Sequence, residues 1–73
     1  MNQPLHHELR VKRFAHGITQ IALAKRAGIN ITYINNWERG RQILSDEQLD
    51  RVKEALDVLI EERNGSERER SGD

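Results

Sequence analysis

Residues 18–40 read ITQIALAKRAGINITYINNWERG, and this stretch decides the fold. It spells two short helices, each opened by a capping residue and closed by a glycine. Thr19 and Asn30 stand where a side-chain oxygen accepts a hydrogen bond from the otherwise unpaired amides of a first helical turn. Gly28 and Gly40 stand where a chain leaving a helix turns left-handed, a conformation that costs glycine nothing. Only Gly28 and Ile29 separate the end of the first helix from the cap of the second. The connection is therefore a sharp corner.

Two helices meeting at such a corner form a helix-turn-helix. In that arrangement the first helix crosses the sugar-phosphate backbone of DNA and the second enters the major groove. The second helix, 30–39, is accordingly the candidate reader.

The same punctuation divides the rest of the chain. An apolar residue before each cap and another at the fourth helical position form a staple in three successive cases: Ile18 with Leu23, Ile29 with Ile34, and Leu44 with Leu49. Ser45 and Gln48 make a capping box. With Gly17, Gly28, Gly40 and Gly65 as helix ends, the spacing predicts helices at about 4–16, 19–27, 30–39 and 45–64. The domain is thus expected to span 1–64. Residues 65–73, GSERERSGD, contain no apolar side chain to bury and are expected to be disordered.

A chain of 73 residues can build one small all-α core, and at that size self-association is a reasonable source of extra burial. With no cysteine there is neither a disulfide nor a thiolate metal site. The opening MNQPLHHELRVKR lacks the apolar core of a signal peptide, and no run approaches the roughly 18 apolar residues of a membrane span. A soluble cytoplasmic protein without a membrane partner is the expectation.

Formal net charge is zero, yet the charge is unevenly distributed. Residues 1–44 hold seven basic and two acidic side chains, a net of +5, whereas residues 45–73 hold five basic and ten acidic, a net of −5. An electrostatic footprint for DNA needs basic residues gathered on one side, not a basic total. The first three helices can supply it, and the acidic last helix should face away from phosphate.

Stepping by about 100° per residue along 30–39 puts Ile34 and Trp37 on one face and Thr32, Asn35, Asn36 and Arg39 on the other, with Ile31 and Tyr33 on the flanks. The first face is core. The second carries groups suited to base edges: an asparagine pairs bidentately with adenine, threonine offers a hydroxyl and a methyl, and Ile31 can pack on a thymine methyl. An A·T-containing half-site is the implication. The plainer alternative is that these polar groups only solvate a surface helix.

From Leu9 to Leu56 the chain resembles the lambda repressor and Cro superfamily, in its Xre-type helix-turn-helix branch. The motifs that carry the resemblance are Thr19-Gln20-x-x-Leu23-Ala24, Gly28-Ile29, and Ile34-x-x-Trp37-Glu38-Arg39-Gly40, with Leu9 and Arg13 before them and Ser45, Leu49, Ala55 and Leu56 after. The resemblance implies a compact bundle of four or five helices that acts on DNA as a dimer and regulates transcription. Residue by residue, it assigns base contacts to Asn30, Ile31, Thr32 and Asn36, beside which Tyr33 and Asn35 complete the candidate reading set. It assigns phosphate contacts to Gln20, Arg39 and Arg41, to which Thr19 and Lys25 are added as neighbours of the same backbone. It matches Arg13 and Glu38 to a pair that ties the first helix to the end of the third.

Two departures are informative. Relatives commonly end the fourth helix after the position of Leu56 and start a fifth, whereas here DVLIEERNG runs on without a breaker until its final glycine, so one long last helix is expected. Leu59 and Ile60 are then expected to lie beyond the reach of the first three helices. Together with Val58 they are the expected interface of a homodimer on a palindromic operator, the alternative being that they fold back over Ile21 or the first helix. Ile21 itself occupies an exposed first-turn site that in relatives often carries glutamate.

Other chemistry finds little support. His6, His7 and Glu8 are adjacent and do not share a helix face, so no metal or cofactor is expected. No nucleophile, base and orienting residue assemble, and no phosphate-binding glycine loop is present, which argues against an enzyme. Two readings remain: a sequence-specific transcriptional regulator, or a protein-interaction module such as an antitoxin that docks a partner on its acidic last helix.

Overall fold

The computed structural model describes residues 5–71, with side chains described as far as Asn64. Four helices follow one another: α1 (Leu5–Ala15), α2 (Gln20–Ala27), α3 (Ile31–Glu38) and α4 (Asp46–Ser71). No strand occurs among the described residues. The fold is an all-α bundle in which α2 packs on both α3 and α4, and α1 packs on α3.

Local chemistry sets the helix starts. Thr19 Oγ1 accepts from Ala22 N at 3.0 Å, and Asn30 Oδ1 accepts from Thr32 N at 2.7 Å. At α4 the capping box is reciprocal: Gln48 N donates to Ser45 Oγ at 3.1 Å while Ser45 N donates to Gln48 Oε1 at 2.9 Å. Each satisfies first-turn amides that would otherwise lack partners.

The three corners share one design. After each of α1, α2 and α3 a glycine with φ between 67° and 75° is followed by a residue whose amide reaches back five positions: Ile18 to Arg13, Ile29 to Ala24, and Arg41 to Asn36. This is the Schellman closure, and it spends two residues where a looser loop would spend more. At Gly28 the consequence is functional, because the corner sets the crossing of α2 and α3.

The core is continuous across the helices. Leu23, Ile34, Val52 and Leu56 are fully buried at its centre, and Leu9, Ile18, Ile29, Trp37 and Leu44 close around them. All three predicted staples contribute: five of their six residues are buried, and Leu49 packs partly buried against the same cluster.

Two features of α4 depart from the sequence reading. First, Leu59 and Ile60 are partly buried against the core of the same chain. They do not stand beyond the reach of the first three helices, because α4 lies along α2 and carries them back over the bundle. Second, α4 passes through Gly65 and continues to Ser71. One glycine inside a helix costs only about 1 kcal/mol relative to alanine, and Arg63 and Glu67, two positions to either side, are good helix formers. The segment expected to be disordered therefore overlaps the last turns of α4, and Gly72 and Asp73 lie outside the described residues.

No helix among the described residues is long and apolar enough to cross a membrane. The large apolar side chains left most exposed are elsewhere: Val11 and Phe14 on α1, Ile21 on α2, Ile31 and Tyr33 on α3, and Ile43, 93% exposed, in the loop before α4.

Candidate nucleic-acid interface

Helix α3 turns its two faces to different solvents. Ile34, Trp37 and Glu38 are buried, whereas Ile31, Thr32 and Tyr33 are exposed and Asn35 and Asn36 half-buried. The predicted reading set thus lies together along the outside and the N-terminal end of one helix. Within it Asn30 is partly committed, since its oxygen caps the helix and only its amide nitrogen is left to contact a base. Trp37 belongs to the core, with the His6 ring edge-on at 6.4 Å, and cannot serve as a stacking platform for bases.

A buried ion pair anchors this helix. Arg13 on α1 donates from Nε and Nη2 to the two carboxylate oxygens of Glu38, both at 2.8 Å, and from Nη1 to the Ile18 carbonyl at 2.8 Å. Arg13 is 5% exposed and Glu38 4%. Two parallel charge-assisted bonds specify orientation as well as attraction, so α3 is held in rotation as well as position. No buried side-chain polar atom among the described residues lacks a partner.

Gln20 has partners inside the protein. Its amide nitrogen, expected to donate to a phosphate, donates to Glu38 Oε1 at 2.9 Å, and its oxygen accepts from Asn35 Nδ2 at 3.2 Å. The side chain lies half-buried between α2 and α3. No sequence pattern signals this link, because it depends on how the two helices cross. Thr19, next to it, uses its oxygen as a cap and keeps a hydroxyl proton to donate outward.

The charges sort themselves by location. Lys12 pairs with Asp57 at 2.8 Å and Arg26 lies 3.9 Å from Glu62, so two acids of α4 are turned onto basic residues of α1 and α2, while Arg51 pairs with Glu47 at 2.9 Å within α4. Arg10 lies over the Phe14 ring at 5.5 Å. Among the described residues Lys25, Arg39 and Arg41 enter no ion pair, and all three are exposed. Lys25 stands near the corner that leads into α3, and the two arginines follow its C-terminal end. A polar helix face flanked by unneutralised cations is what a polyanion with readable edges requires.

A family model described as a helix-turn-helix matches residues 8–63, well over half of the chain. No protein of curated function matches it significantly.

Proposed function

Because the chain belongs to the Xre-type helix-turn-helix family of DNA-binding transcriptional regulators, we propose that it is a sequence-specific repressor, of the kind that controls a phage, a mobile element or a restriction-modification system. In this reading α3 enters the major groove. Asn30, Ile31, Thr32, Tyr33, Asn35 and Asn36 face base edges, while Thr19, Lys25, Arg39 and Arg41 contact phosphates on either side. The observation that carries it is the outer face of α3 bracketed by cations that no acid among the described residues neutralises. Phosphate contacts of this kind hold register on the duplex, and base-edge contacts supply the sequence preference.

We also place two copies on a palindromic operator, with recognition helices about 34 Å apart. The half-exposed outer edges of Val58, Leu59 and Ile60 provide the contact between copies, while the inner edges of Leu59 and Ile60 close the monomer's own core. The protein works in the cytoplasm, where its DNA is, and does so without a cofactor or a catalytic step of its own. Docking of a protein partner on acidic α4 is less favoured, since Asp57 and Glu62 already face Lys12 and Arg26.

Selection of bound fragments from a random duplex library at fixed, stated salt tests this function. Enrichment of one inverted repeat is the expected result. Recovery of unrelated sequences, or no recovery at low salt, contradicts it.

A further inference from the structure

The hydrogen bonds that run outward from the buried ion pair have a direction. A carboxylate only accepts, so the side chain of Gln20 must turn its NH₂ group toward Glu38. Its oxygen then faces Asn35, and Asn35 must turn its own NH₂ toward Gln20. Arg13 fixes the starting point, because its two bonds hold both carboxylate oxygens in place. Rotating either amide by half a turn would set oxygen against oxygen. The Arg13–Glu38–Gln20–Asn35 chain therefore removes the freedom to flip that an asparagine on a helix surface normally keeps.

The end of this chain is half-exposed on the outer side of α3. One Nδ2 proton of Asn35 is used, and its Oδ1 and second Nδ2 proton have no partner among the described residues. An acceptor beside a donor complements one base in the major groove. Adenine presents the N6 amine and the N7 acceptor side by side, whereas guanine presents two acceptors, cytosine a donor alone, and thymine an acceptor beside a methyl. Asn36, whose side chain makes no such internal bond, is not oriented in this way.

We propose that Gln20 is a positioning residue that locks the Asn35 amide to read an adenine, so that the ion pair at the base of α3 sets base preference at its surface. The inference rests on the DNA-reading function proposed above. It assigns Gln20 to specificity, through Asn35, and removes it from the phosphate contacts.

Two measurements test it. In the free protein, by NMR, the locked Asn35 side-chain amide is expected to exchange its bonded proton with solvent more slowly than either side-chain amide proton of Asn36. Equal exchange overturns the lock. On the selected operator, 7-deazaadenine replaces each adenine of a half-site in turn, which removes N7 and leaves base pairing intact. One position is expected to lose about tenfold in affinity with the wild-type protein. That penalty should vanish in Asn35→Ala and fall to about threefold or less in Gln20→Met, while the affinity of Gln20→Met for random duplex stays at the wild-type level. A penalty undiminished in Asn35→Ala, or in folded Gln20→Met, overturns the inference and leaves DNA reading intact. Absence of any duplex binding overturns both.

Discussion

Arg13 and Glu38 lie 25 positions apart in the chain and meet inside the protein through two 2.8 Å hydrogen bonds, with side chains only 6% and 2% exposed. They join the last turn of α1 to the last residue of α3. Removing one partner leaves the other charge buried and unpaired, the costly state for an ion in a low-dielectric interior. Glu38→Leu or Arg13→Met alone should therefore lose about 3–5 kcal/mol of folding stability. The double variant should lose less than the sum, which chemical denaturation in a double-mutant cycle measures directly. Additive losses would mean that the pair does not act as a unit.

Thr19→Ala should cost about 1 kcal/mol, since Ala22 N at the start of α2 loses its acceptor. Thr19→Ser should recover most of it. Equal stability of the threonine and alanine proteins in urea would show that the cap contributes nothing.

The caps, corners and staples were legible in the sequence because each is a relation among residues at most about six apart. The pairing of Arg13 with Glu38 was legible only through family resemblance. What escaped depends on how helices cross. Lys12 meets Asp57 across 45 positions, and Gln20 meets Asn35 across the angle between α2 and α3. Leu59 and Ile60 look surplus when α4 is drawn as a free rod, and cease to be so once it lies along α2. Gly65 reads as a stop only if a glycine is taken to end every helix that it enters. Ile43 has an apolar side chain in a loop and almost nothing covering it, for which nothing in the fold supplies a reason.

Leu59→Ala and Ile60→Ala should each lower stability by about 1–3 kcal/mol, less than the full cost of emptying a closed core site because both side chains are only partly buried. Light scattering over a dilution series separates this role from self-association. The proposed dimer should give a mass well above the 8.5 kDa of one chain at high micromolar concentration, and Val58→Glu should lower it. A mass of 8.5 kDa throughout would mean that free copies do not associate and that any dimer forms on DNA alone.

Arg41→Ala should weaken binding to every duplex alike and make the affinity less dependent on salt by about one unit of log K per log of salt concentration. Lys12→Ala should alter it much less, since Lys12 already faces Asp57. Titrations from low to moderate salt compare the two, and an equal change in slope would contradict the sorting of charges by location.

The central claim, that the outer face of α3 reads base sequence, is tested most directly by the affinity of Asn36→Ala for the selected operator and for a scrambled duplex at one salt concentration. The account predicts a loss of about 1–3 kcal/mol on the operator, relaxed preference at one base pair of the half-site, and no change on the scrambled duplex. An equal loss on both duplexes would contradict it.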